Sequence, residues 1–173
     1  MIALYYACVN NFPYNSLLDY TVCMVKYAAM IRGIGPANPN MRGSKLKPTF
    51  ESLGFKNVSP VITSGNVVFE NSMADAAQLE TVVEKALPRL LDFERSVFIR
   101  SQAELQALVD ANPFRGIEQG PKHYTTITFL KSMPIGMPDL PYRPDGKGFE
   151  VLALYDTVRL PSLLIRRQKR LLI

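Results

Sequence analysis

Between Met24 and Tyr155 the chain alternates between two hydrophobic rhythms, one repeating every second residue and one every third or fourth. "KYAAMIRGI", residues 26–34, is apolar in both alternate sets, Tyr27, Ala29 and Ile31 against Ala28 and Met30. That pattern predicts a strand covered on both faces, by the second half of the chain or by another subunit. "SKLKPTFESLGF" follows as a helix, with Ser44 as its cap, Leu46, Phe50 and Leu53 as its stripe, and Gly54 as its stop. Pro48 then has to fall in the first turn, where a missing N–H is tolerated. "ADAAQLETVVEKALPRLL" carries the strongest pattern, with Leu79, Val82, Val83, Ala86, Leu87 and Leu90 on one helical face. Pro88 predicts a kink or an early end there, because it removes the bond to residue 84. "RSVFIR" reads as strand, and "SQAELQALVDANPF" as a helix opened by the capping box Ser101-x-x-Glu104. "HYTTITFL" and "FEVLALY" are further strands on either side of a Pro-rich loop.

Two β-branched runs, "NVSPVIT" and "NVVFE", are separated by Ser64-Gly65. This predicts a hairpin with a two-residue turn flanked by Thr63 and Asn66, since Gly accepts the positive φ that such turns need. Pro60 lacks a donor, so the first hairpin strand belongs at a sheet edge. From Lys26 to Arg100 the order is β-α-β-β-α-β, and short connections with right-handed crossovers make that a four-stranded antiparallel sheet backed by two helices. The expected fold class is α+β: a ferredoxin-like half over residues 24–100, followed by a second α+β half over 101–156.

The two ends read differently. Residues 1–23 lack a basic start and carry Asn10, Asn11 and Pro13 where the apolar core of a secretory signal would continue. They are expected to be an extension outside the fold, with Met24 as its natural beginning. Residues 157–173 form a basic tail, and the leucine spacing of "PSLLIRRQKRLLI" admits a short amphipathic helix that would touch a membrane or a partner.

Charge changes the picture little. Of 20 Lys and Arg residues, Arg166, Arg167, Lys169 and Arg170 lie in the last eight residues, which leaves 16 against 15 acidic residues in the rest. A nearly neutral body has a small electrostatic footprint for nucleic acid. Both cysteines, Cys8 and Cys23, precede Met24, and His123 is the only histidine. The body therefore cannot be a disulfide scaffold or build a usual zinc site, and no cofactor is expected. No nucleophile motif accompanies His123, so no catalytic machinery is recognisable. No apolar run reaches the ~20 residues that a membrane span requires.

Taken in order, "YAAMIRGI", "LGFKNVSPVITSGNVVFE", "VFIRSQAELQALVDANPF" and "TFL" resemble the bacterial domain of unknown function 1697 family. Its members carry a strand ending in Arg-Gly-Ile, an SGNVVF hairpin and a later Asn-Pro-Phe. The resemblance covers residues 24–156 and implies a cytoplasmic α+β protein of two related sheet-and-helix halves with no established reaction. This chain departs from the family at Thr63, where Gln is usual, and in its first loop "GPANPNMRG", which in the family is rich in Gly and Lys. It also lacks Trp, and with it the family's closing Thr-Arg-x-Trp segment. The carboxyl end thus reads as truncated or shifted out of frame. The second half is expected to lack its final helix and strand, leaving an incomplete core and an unpaired edge for self-association.

One candidate ligand site remains. Arg32, Gly33, Ser44, Lys45 and Lys47 surround the first loop, between the end of a central strand and the start of a helix whose free N–H groups suit an anion. Ser64 and Asn66 join them only if the hairpin turns that way, and the simplest arrangement puts them at the opposite edge. The competing readings are a solvated basic loop and a structural Arg32 paired with a carboxylate or with carbonyls. Asn112-Pro113-Phe114 reads as a helix stop with Phe114 packed down, and His123 as a surface or interface residue. Glu80, Glu84 and Asp92 fit helix-surface roles. Three functional classes stay open: a binder of a small anionic ligand, with or without an enzymatic reaction, a nucleic-acid module offering Phe69 and little else aromatic, and an assembly domain using the apolar sheet.

Overall fold

The computed structural model describes residues 24–32, 38–61, 65–73, 75–92, 94–117, 120, 123–157 and 160–168. The expected amino-terminal extension lies outside the described residues. The chain divides into two compact units, Met1–Gln102 and Ala103–Ile173.

In the first unit, β1 (Val25–Ile31), β2 (Lys56–Val61), β3 (Asn66–Asn71) and β4 (Val97–Ser101) form an antiparallel sheet of order β2-β3-β1-β4. Helices α1 (Gly43–Ser52) and α2 (Ala76–Leu91) pack on one face, and a 3-10 turn, Pro39–Met41, precedes α1. Strand alternation sends Tyr27, Ala29 and Ile31 into the core, registered against Phe69, Val67, Ile99 and Val97. Leu46 and Phe50 of α1 and Leu79, Val83, Leu87 and Leu91 of α2 close it. Phe69 is its centre: Phe55 stacks on it at 4.4 Å, Tyr27 at 5.6 Å, and Phe50 meets it edge-on at 5.8 Å. Such ring pairs contribute about 0.5–1.5 kcal/mol each beyond their burial. The second set on β1, Ala28 and Met30, lies on the other face beside Val68 and Phe98, and all four are half-buried rather than fully covered.

Several local expectations change. Arg42, not Ser44, holds the cap position of α1, because the 3-10 turn delivers an extended residue there and Ser44 falls inside the first turn. Pro48 is consequently the sixth helical residue, beyond the first turn, and the helix does without the bond it would have donated. In α2, Pro88 does not end the helix, which runs on to Leu91. Its amino terminus is capped by Asp75, which accepts from the amides of Ala77 and Gln78 at 2.9 and 3.4 Å. The core stripe of α2 is narrower than the pattern suggested, leaving Val82 and Leu90 exposed. The hairpin pairs Val61 with Asn66 and Pro60 with Val67, so Asn66 faces Val61 and not Thr63, and residues 62–64 lie outside the described residues. Gly65 does carry the positive φ, at 76°, and β2 is an edge, as Pro60 requires.

β4 is the other edge, and α2 closes it. The Glu84 carboxylate accepts the Val97 amide and the Glu80 carboxylate accepts the Ile99 amide, at 2.7 and 2.8 Å. Arg100 completes the seal, donating to the Ile99 carbonyl at 2.6 Å and to Glu80 at 2.8 Å. Neither glutamate has the surface role expected of it: Glu80 is buried and Glu84 half-buried.

In the second unit, α3 (Gln102–Asp110) follows Ser101 and stops where Asn112 adopts a φ of 45° ahead of Pro113. The stop is as expected. It is Pro113 that is buried there, however, while Phe114 stays exposed. β5 (His123–Phe129), β6 (Phe149–Thr157) and β7 (Leu160–Gln168) form an antiparallel sheet of order β5-β7-β6. Residues Leu160–Gln168 of the tail that admitted a short helix are therefore the central strand β7, with Leu164 and Ile165 buried, and residues 169–173 lie outside the described residues. Two flanking ladders of backbone bonds outweigh a marginal helix. The expectation of an incomplete second sheet rested on these residues lying outside it.

Candidate functional site at the strand ends of the first unit

Antiparallel pairing decides what meets Arg32. β3 begins opposite the end of β1, with Asn66 registered to Met30, and β4 begins there too, with Val97 registered to Ile31. The start of β3 and the segment before β4 thus share the end of the sheet at which Arg32 leaves it. Asn66 is not at the opposite edge. The start of α1 is drawn to the same end: a Cβ on Gly43 would lie 3.1 Å from Cβ of Pro60, so helix and edge strand pack closely there. The carboxyl end of α2 arrives there as well, its Leu91 carbonyl receiving the Asn40 side-chain amide at 2.9 Å.

A hollow of about 560 Å³ opens at this end, lined among the described residues by Arg32, Glu84, Glu94, Arg95 and Ser96. Arg32 is held by its backbone, whose amide donates to the Ser96 carbonyl at 2.9 Å. Its guanidinium is exposed and forms no ion pair among the described residues. Arg95 folds back to the Glu94 carbonyl at 2.7 Å.

Of the expected site residues that are described, only Arg32 lines this hollow. Ser44 and Lys45 are exposed in the first turn of α1. Lys47 is turned elsewhere, donating to the Val58 carbonyl at 3.3 Å and pairing with Glu51 at 3.5 Å. Asn66 is half-buried at the start of β3. Gly33 and Ser64 lie outside the described residues. Arg95, Ser96 and Glu94 were missed, although a signal existed. In the antiparallel order already read from the sequence, whatever precedes β4 must sit beside whatever follows β1. Among the described residues, no cluster of three or more His, Cys, Asp or Glu side chains is placed to hold a metal ion, and no helix is long and apolar enough to cross a membrane.

The β2-β3-β1-β4 sheet under two helices makes the first unit a ferredoxin-like α+β fold. The chain belongs to the family described as protein of unknown function (DUF1697), which it matches over residues 24–139. Among solved structures it is similar to the conserved bacterial protein SP0830 from Streptococcus pneumoniae, with a TM-score of 0.58 and 20% identity over 84% of this chain and 77% of that one. That likeness is one of fold. No curated protein matches the sequence.

Proposed function

We propose that the strand-end hollow of the first unit binds a small anionic ligand, with Arg32 as its first contact and Arg95 as its second. The observation that carries this is the anchoring of Arg32. Its backbone is fixed to Ser96, while its guanidinium lines the hollow with no carboxylate partner among the described residues. A structural arginine would spend its side chain on the fold. This one holds its planar fork ready for a phosphate or carboxylate group, where charge-assisted bonds are roughly twice as strong as neutral ones. Ser44 and Lys45 add donors and positive charge at the same end. The family resemblance brings a cytoplasmic setting to this reading.

Nucleic-acid recognition is less well supported. Phe69, the aromatic that the sequence offered for base stacking, is fully buried on the helix-covered face between Tyr27 and Phe55. A thermal-shift screen of inorganic phosphate, sugar phosphates, nucleotides and short oligonucleotides tests both readings, since a ligand raises stability by RT ln(1 + [L]/Kd). Stabilisation by small phosphates that disappears in Arg32→Ala is expected. Stabilisation by oligonucleotides alone would favour the second reading.

A further inference from the structure

The described walls of the hollow carry two arginines, Arg32 and Arg95, and two glutamates, Glu84 and Glu94. The two glutamates are not equivalent. Glu84 is half-buried and fixed on the Val97 amide at 2.7 Å. Glu94 is exposed, and its carboxylate forms no ion pair among the described residues.

A simple anion drawn to Arg32 and Arg95 would feel both carboxylates as repulsion. A ligand bearing a protonated amine beside its anionic group would turn one repulsion into an attraction. On this charge balance, and resting on the anion site proposed above, we infer that the hollow selects a small zwitterion, a phosphate or carboxylate compound that also carries an ammonium group. The anionic end lies on the arginines, and Glu94 receives the amine. Ammonium and carboxylate then form a charge-assisted contact that a ligand without the amine lacks. Discrimination comes as much from the penalty on plain anions as from the gain for the zwitterion.

Calorimetric titration of the full chain with matched probes tests this. O-phosphoethanolamine and ethyl phosphate differ in the amine, β-alanine supplies a carboxylate in place of the phosphate, and ethanolamine supplies the amine alone. O-phosphoethanolamine is expected to bind at least tenfold tighter than ethyl phosphate. Glu94→Gln, on an exposed residue, is expected to narrow that gap to about twofold without changing Tm, and Arg32→Ala to weaken both phosphates in parallel. Tighter binding of β-alanine than of O-phosphoethanolamine would mark the anionic group as a carboxylate and keep the inference. Equal binding of the two phosphates, with a gap unmoved by Glu94→Gln, would overturn it and leave a plain anion site. Failure of every probe to bind would overturn the anion site and this inference together.

Discussion

Glu84 meets the Val97 amide at 2.7 Å, and the residue one helical turn before it meets the amide two strand positions after Val97. Four helical residues rise about 6.0 Å and two strand residues about 6.6–6.8 Å, so an i, i+4 pair of carboxylates fits alternate amides of an antiparallel strand. A free sheet edge invites pairing with other chains, and here the edge is occupied by charge. Glu80→Ala should destabilise the first unit by about 3–5 kcal/mol, because Arg100 is left buried with its ion pair broken. Glu84→Ala removes the charged hydrogen bond to the Val97 amide and should cost at least about 1.5–3 kcal/mol. Urea denaturation followed by circular dichroism measures both. Equal small losses would mean that the seal contributes little.

Gly65 has φ 76° at the point where the hairpin re-enters β3. Gly65→Val should cost about 1–3 kcal/mol, since a β-branched residue is strained there. Gly65→Asn should cost less, because Asn tolerates the left-handed region. The order of the two midpoints in denaturant is the check, and a valine variant as stable as the asparagine one would contradict it.

Local rhythm made the order of strands and helices legible, because alternation and helical periodicity are properties of neighbouring residues. Pro60 even marked which strand lies at an edge. Features set by distant pairing were not legible. Thr63 looked like the partner of Asn66, but the register pairs Asn66 with Val61 and Val67 with Pro60. Glu80 and Glu84 looked solvated, since their partners are backbone amides 19 and 13 residues away. Of the candidate site, Arg32 was read and its companions Arg95 and Ser96 were not, because they join it only through the β1–β4 pairing, which the strand order implies and local rhythm does not show.

The anion site yields a separation of effects. Arg32→Ala should weaken phosphate binding about ten- to a hundredfold while leaving Tm within about 2 °C. Its backbone bond to Ser96 survives the substitution. Lys45→Ala, exposed on α1, should weaken binding less and also leave Tm unchanged. Titration calorimetry beside a melting curve distinguishes the outcomes. A fall in Tm with or without phosphate would make Arg32 structural.

Leu164 tests the placement of the tail. It is buried in β7 between two partner strands, so Leu164→Ala should cost the second unit about 2–5 kcal/mol. A charge at Leu164 should disrupt that unit altogether. Proteolysis at β5 and β6, monitored by mass spectrometry, reports the loss. Indifference to either change would argue against a central strand.

The order β5-β7-β6 also sets a schedule for synthesis. β5 and β6 share no ladder with each other, and each waits for β7, the last of the three to leave the ribosome. At about 5–20 residues per second, β5 spends several seconds as an unpartnered, half-apolar strand before its neighbour exists. The first unit, whose strands are all complete by Ser101, has its whole sheet synthesised by then. During that interval the nascent second sheet is the part of the chain most exposed to chaperones, and slowing translation across residues 130–160 would lengthen its vulnerability without touching the first.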